Sequence, residues 1–139
     1  MRKTLIIALI LISSALFSQV KPVNFDGCKY DMFFVTADAQ PAWKADSLDL
    51  SSWLNRYFSQ QSEKIPAEAN GRIILGVIIY EDGRTCCHSF IDLTKNKLNP
   101  DIFPRAVFLM PKWEPAKQNG KPVIFLKNLV LEIKDGLFR

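Results

Sequence analysis

The residues with most chemical reach sit in one short run, Cys86-Cys87-His88, with a third cysteine, Cys28, far upstream. Two thiols and an imidazole could hold a soft metal or exchange electrons, but only by converging on one point. In an extended strand neighbouring side chains point to opposite faces, so Cys86 and Cys87 cannot reach one ion together. Cys86 and His88 can share a face, yet two ligands are too few for a closed metal site. The vicinal cysteines also lack the two-residue spacer of redox pairs. A disulfide from Cys28 to either Cys86 or Cys87 is the expected use, and the odd count of three leaves one thiol over. Such a bridge would tie the N-terminal segment onto the strand. His88 is the only histidine, so histidine-dependent hydrolysis has no partner set. Among the acids, Glu81 and Asp82 read as turn residues, and Asp92 and Asp101 are isolated. No phosphate loop, nucleophile elbow or metalloprotease motif occurs. The chain is therefore expected to be non-catalytic, with no metal, no cofactor and no small-molecule substrate.

A disulfide requires an oxidising compartment, and the N-terminus provides a route to one. Arg2 and Lys3 precede an apolar run from Leu5 to Phe17, and Ser18 offers a small residue for cleavage. Residues 1–18 are read as a signal peptide, and the alternative is a retained inner-membrane anchor. The run falls short of the roughly 20 apolar residues of a membrane span. Its removal takes two positive charges from a net charge of +4, and the remaining lysines are scattered. Nucleic-acid binding would want a basic stripe interleaved with aromatics, and none is present.

Residues 19–46 read as an N-terminal extension, in which "YDMFFVT" can form a short strand. A domain follows over residues 47–135. Leu50, Trp53, Leu54, Tyr57 and Phe58 recur at helical spacing, with Ser47 or Asp49 as N-cap. Two β-branched runs flank Asp82-Gly83, the signature of a hairpin. "NPDIFPRAVFLM" reads as a short helix presenting Ile102, Ala106, Leu109 and Met110, stopped by Pro111. Trp113 can fold back on the core, Pro115 keeps the exit extended, and "KPVIFLKNLVLEI" reads as one long final strand. The order helix, strand, strand, helix, strand predicts an α+β domain with helices on a three-stranded antiparallel sheet, extended by an N-terminal strand where "YDMFFVT" adds to it. Both faces of the sheet are apolar. Ile74, Ile78, Ile124, Leu126 and Val130 therefore need cover on the second face, from Met32–Val35 or from a partner.

These elements carry a resemblance. Ile65-Pro66-Ala67-Glu68-Ala69, the run Gly71 to Gly83, and Trp113-Glu114-Pro115-Ala116-Lys117 with Gly120 and Val123 together resemble the C-terminal domain of TonB. The likeness spans residues 48–133, with Ile65 where the family usually has Tyr and Ala116 where it usually has Gly. It assigns Gly83, Trp113, Pro115 and Gly120 structural roles. It implies binding by strand addition, in which a peptide from an envelope or outer-membrane transport protein pairs with the edge of the last strand. That edge maps to Val123, Ile124, Phe125, Leu126, Lys127, Asn128 and Leu129, with Gln118 and Asn119 at its entrance. The expected protein is a periplasmic binding module. Two alternatives stand beside it: a membrane-anchored energy transducer for outer-membrane transport, and a homodimer paired through the same edge.

Overall fold

The computed structural model describes residues 20–45 and 48–139. The signal-peptide reading of residues 1–18 and the Ser47 cap fall outside the described residues. Among the described residues two short helices lie against a mostly antiparallel sheet, so the α+β expectation holds.

Helix α1 (Leu50–Ser59) starts where the Asp49 carboxylate accepts the Ser52 amide at 2.7 Å. That backbone hydrogen bond holds Asp49 below its ordinary carboxylate value. The stripe buries Leu54 and Phe58 fully and half-buries Leu50, Trp53 and Tyr57, as helical spacing requires. Helix α2 (Phe103–Phe108) follows a single 3₁₀ turn, Pro100–Ile102; Pro100 and Pro104 sit at first-turn positions of the turn and of the helix respectively. Its buried residues are Phe103, Ala106, Val107 and, just beyond, Met110, while Leu109 is 46% exposed. The helical stripe is thus phased from Phe103 and not from Ile102, which turns Leu109 outward.

Strands β2 (Gly71–Ile79) and β3 (Thr85–Asp92) form the expected hairpin. The Tyr80 amide donates to the Arg84 carbonyl, the Gly83 amide donates to the Tyr80 carbonyl, and Gly83 takes φ +88°. This is a three-residue turn closed by a left-handed glycine. The Asp82 carboxylate accepts the Arg84 amide at 3.1 Å, which lowers its pKa, and also pairs with the guanidinium.

The final apolar run does not form one strand. β4 (Ala116–Gln118) and β5 (Lys121–Val123) make a separate ribbon, and β6 (Phe125–Lys134) then joins the main sheet beside β2. Asn119 and Gly120, both at positive φ, turn the ribbon, and Ile124 is the joint between ribbon and sheet. Two strands of two residues complete the main sheet. β1 (Val23–Asn24) pairs with β3, and β7 (Leu137–Phe138) returns along β6 after an Asp135-Gly136 turn. The order is β1-β3-β2-β6-β7, so the three long strands expected are flanked by two short ones. Val23–Asn24, not "YDMFFVT", supplies the added N-terminal strand.

The core lies between the helices and one sheet face. Ile73, Leu75, Val77, Ile79, Phe90, Leu129, Leu131 and Ile133 point into it, all at most 7% exposed. Phe103 of α2 stacks on Phe90 with centroids 4.6 Å apart, a geometry worth about 1 kcal/mol beyond burial.

Candidate functional site

The outer edge of β6 is the surface to which the sequence reading assigned partner binding. Its geometry follows from strand alternation. Phe125, Lys127, Leu129 and Leu131 pair with odd-numbered residues of β2 and direct their main-chain groups inward to that strand. Even-numbered residues direct theirs outward, as two contacts show. The Phe34 amide donates to the Ile124 carbonyl at 2.8 Å, and the Leu126 amide donates to the Phe34 carbonyl at 2.9 Å. At the other end the Arg139 amide donates to the Glu132 carbonyl at 2.9 Å. Between these contacts lie the Leu126 carbonyl, both main-chain groups of Asn128 and Val130, and the Glu132 amide. Strand pairing among the described residues leaves all of them open.

The expected binding residues therefore divide. Val123 belongs to β5 and pairs with Ala116. The Ile124 carbonyl and the Leu126 amide are taken by Phe34, so the first part of the edge is covered from within the chain. Phe125 and Leu129 are core side chains, and Lys127 is half-buried. Asn128 alone of the seven edge residues offers both main-chain groups outward. Gln118 and Asn119 lie on the ribbon and hold the N-terminal segment: the Gln118 amide oxygen accepts the Asp38 amide at 3.1 Å, and the Asn119 amide donates to the Asp38 carboxylate at 2.9 Å. Val130 and Glu132 complete the open edge; Val130 lies within the strand the sequence reading took as the edge, and Glu132 was missed. Which residues face outward depends on register, and no local signal in β6 reveals it.

The structural assignments converge on one contact. The Trp113 amide donates to the Gly83 carbonyl at 2.9 Å, and a Cβ on Gly83 would lie 2.2 Å from the Trp113 carbonyl oxygen. The hairpin glycine and the turn tryptophan, thirty residues apart, thus lock the start of the ribbon to the sheet. Trp113 is 4% exposed and meets Trp43 edge-on at 5.5 Å. Pro115 follows half-buried, and Gly120 turns the ribbon with nothing within 4 Å of its Cβ position.

Residues 20–45 run as a strap around the sheet. Phe25 donates its amide to the His88 carbonyl. Cys28 is bonded to Cys86, as expected of one of the two vicinal cysteines. Tyr30 and Phe33 pack on His88, Phe34 caps the start of β6, and Ala39 and Ala42 bridge to Lys117 and Glu114. The strap covers the second sheet face at Ile78, which is fully buried, but leaves Val130 at 62% exposure. Cover therefore comes from within the chain at one end only. Cys87 points to the core as the remaining thiol, 3% exposed, and burial pushes its pKa up to about 12.

Beside the disulfide runs a groove of about 410 Å³ lined by Gly27, Lys29, Tyr80, Arg84, Thr85, Cys86, Phe108 and Met110. No group of three metal-binding side chains occurs among the described residues, and none of their helices is long and apolar enough to cross a membrane. The chain matches no family model, no curated protein and no solved structure.

Proposed function

We propose that this chain is a non-catalytic periplasmic binding module, similar to the TonB C-terminal domain, that captures an extended segment of an envelope or outer-membrane transport protein on β6. The observation that carries the reading is the run of open main-chain groups at Asn128 and Val130, bounded by the Phe34 contact and β7. An added strand of about five residues fills that run with hydrogen bonds at every second residue. Its side chains on the second sheet face would meet Leu126, Val130 and the exposed end of that face, which supplies selectivity. The disulfide supports an oxidising compartment.

The same edge supports self-pairing as a second reading. Val130, exposed and apolar beside the open groups, would be covered by an antiparallel copy of β6 with Leu129 near the two-fold axis. A photoreactive residue at Asn128 in the exporting cell separates the two. The binding reading expects a cross-link to an extended segment of another envelope protein, lost in Val130→Pro. Cross-links to a second copy alone would make the protein a homodimer, and cross-linking that survives Val130→Pro would place the partner elsewhere.

A further inference from the structure

We infer that the Cys28–Cys86 bond is a reaction site for an external dithiol, and that opening it frees the β6 edge by releasing the strap. Cys86 forms part of the wall of the 410 Å³ groove, and both bonded cysteines are half-buried and not inside the packed core. The groove wall is apolar at Tyr80, Phe108 and Met110, with Phe108 72% exposed. Among the described residues its charged members are Lys29 and Arg84, and none of its lining residues is a carboxylate. Arg84 is paired with Asp82, whereas Lys29 makes no ion pair among the described residues. A cation beside a disulfide attracts the thiolate, which is the attacking form in exchange.

The step balances without a cofactor. A thiolate of the dithiol attacks the Cys86 sulfur, the Cys28–Cys86 bond breaks, and Cys28 leaves as a thiolate that takes up one proton. The second thiol of the reagent, deprotonated, attacks the mixed disulfide. Cys86 departs and takes up the second proton, and the reagent ends as its own disulfide. Two electrons have passed from the dithiol to the protein. The neighbouring Cys87 does not short-circuit this route, because it points to the opposite face of β3 and is buried in the core.

The consequence follows from how the strap is held. Its C-terminal part, Asp38 to Trp43, is fastened by paired bonds at Ala39 and Ala42 and by the Trp43–Trp113 contact. Its N-terminal part, up to Phe34, has the two-residue pairing of β1, the Phe25 and Lys29 amide bonds, the contacts of Tyr30 and Phe33 with His88, and the disulfide. Removing the covalent tie leaves this part to open on its own, and with it go the bonds of Phe34 to Ile124 and Leu126. The open edge then lengthens from Asn128–Glu132 to include Ile124 and Leu126. That this lengthening aids partner capture rests on the proposed function; the release itself does not.

The test is amide hydrogen exchange of the full mature protein, oxidised, reduced with dithiothreitol, and as Cys28→Ser/Cys86→Ser. The Leu126 amide should exchange at least about tenfold faster in the reduced protein and in the variant, while β2 amides keep their protection. Unchanged protection at Leu126 would overturn the inference, and so would loss of protection throughout β2, which would make the bond a staple of the whole fold. Lys29→Glu should slow reduction by anionic dihydrolipoate several-fold more than reduction by neutral dithiothreitol; equal slowing, or none, would remove the role given to the groove. If Leu126 is released while Asn128 cross-links no partner in either redox state, the proposed function fails and the dithiol site stands.

Discussion

Replacing Gly83 by alanine tests whether the hairpin and the tryptophan turn are locked as described. Gly83 sits at φ +88°, where an L side chain costs about 1–2 kcal/mol. The added Cβ would also lie 2.2 Å from the Trp113 carbonyl oxygen and 3.2 Å from its nitrogen. Both are backbone atoms, so no side chain can swing aside, and the Trp113–Gly83 hydrogen bond must stretch or break for a further cost of about 1 kcal/mol. The sum is about 2–3 kcal/mol. Gly120→Ala is the matched control, because it has φ +77° with nothing within 4 Å and should cost only the conformational part, about 1 kcal/mol. Urea unfolding with the disulfide intact reads the difference. At a slope of about 1–3 kcal/mol per molar, Gly83→Ala should lose at least about 0.7 M of midpoint and Gly120→Ala no more than about half as much. Equal losses would mean that the two segments do not approach as described.

Trp113→Ala should cost about 3–5 kcal/mol through the cavity it leaves. Trp113→Phe should cost far less, because the buried Trp113 Nε1 has no hydrogen-bond partner to lose among the described residues; chemical denaturation decides both. Phe125→Asp should prevent folding and Val130→Asp should change stability by no more than about 0.5 kcal/mol, since the residues are 3% and 62% exposed. Circular dichroism melts that treated the two alike would contradict the facing of β6. Cys87 should resist iodoacetamide in the native protein at pH 8. Its folded pKa of about 12 lies above the ordinary 9.0, so the stability tied to its neutral thiol is complete below pH 9 and is lost as pH rises toward 12. Cys87→Ala should flatten that alkaline decline, and an unchanged slope would show that the thiol is not held neutral by the fold.

Much of this fold could be read from the sequence because its signals are local. The helical stripe from Leu50 to Phe58 fixed α1, and Asp82-Gly83 fixed the hairpin, each within a dozen residues. Burial of Trp113 followed from the prolines on either side. The split of the last strand was not legible, because Val123, Ile124 and Phe125 form an unbroken apolar run. What divides them is the attachment of the Ile124 carbonyl to Phe34, ninety residues away in sequence. β7 had a signal in Asp135-Gly136, but two residues carry no periodicity. The candidate edge was legible as an element and not as a set of groups. Its polarity depends on pairing with β2 and on a strap contact that nothing in β6 announces.

The most direct measurement of the central claim is residue-resolved amide exchange along β6 in the purified monomer. The account predicts alternation: fast exchange at Asn128 and Val130, whose amides face out, and slow exchange at Lys127, Leu129 and Leu131, whose amides face β2. Bound partner should then slow the outward amides of Asn128, Val130 and Glu132 and leave the inward ones unchanged. Protected Asn128 and Val130 amides in the free monomer would mean that the edge is already filled, and strand addition there would be excluded.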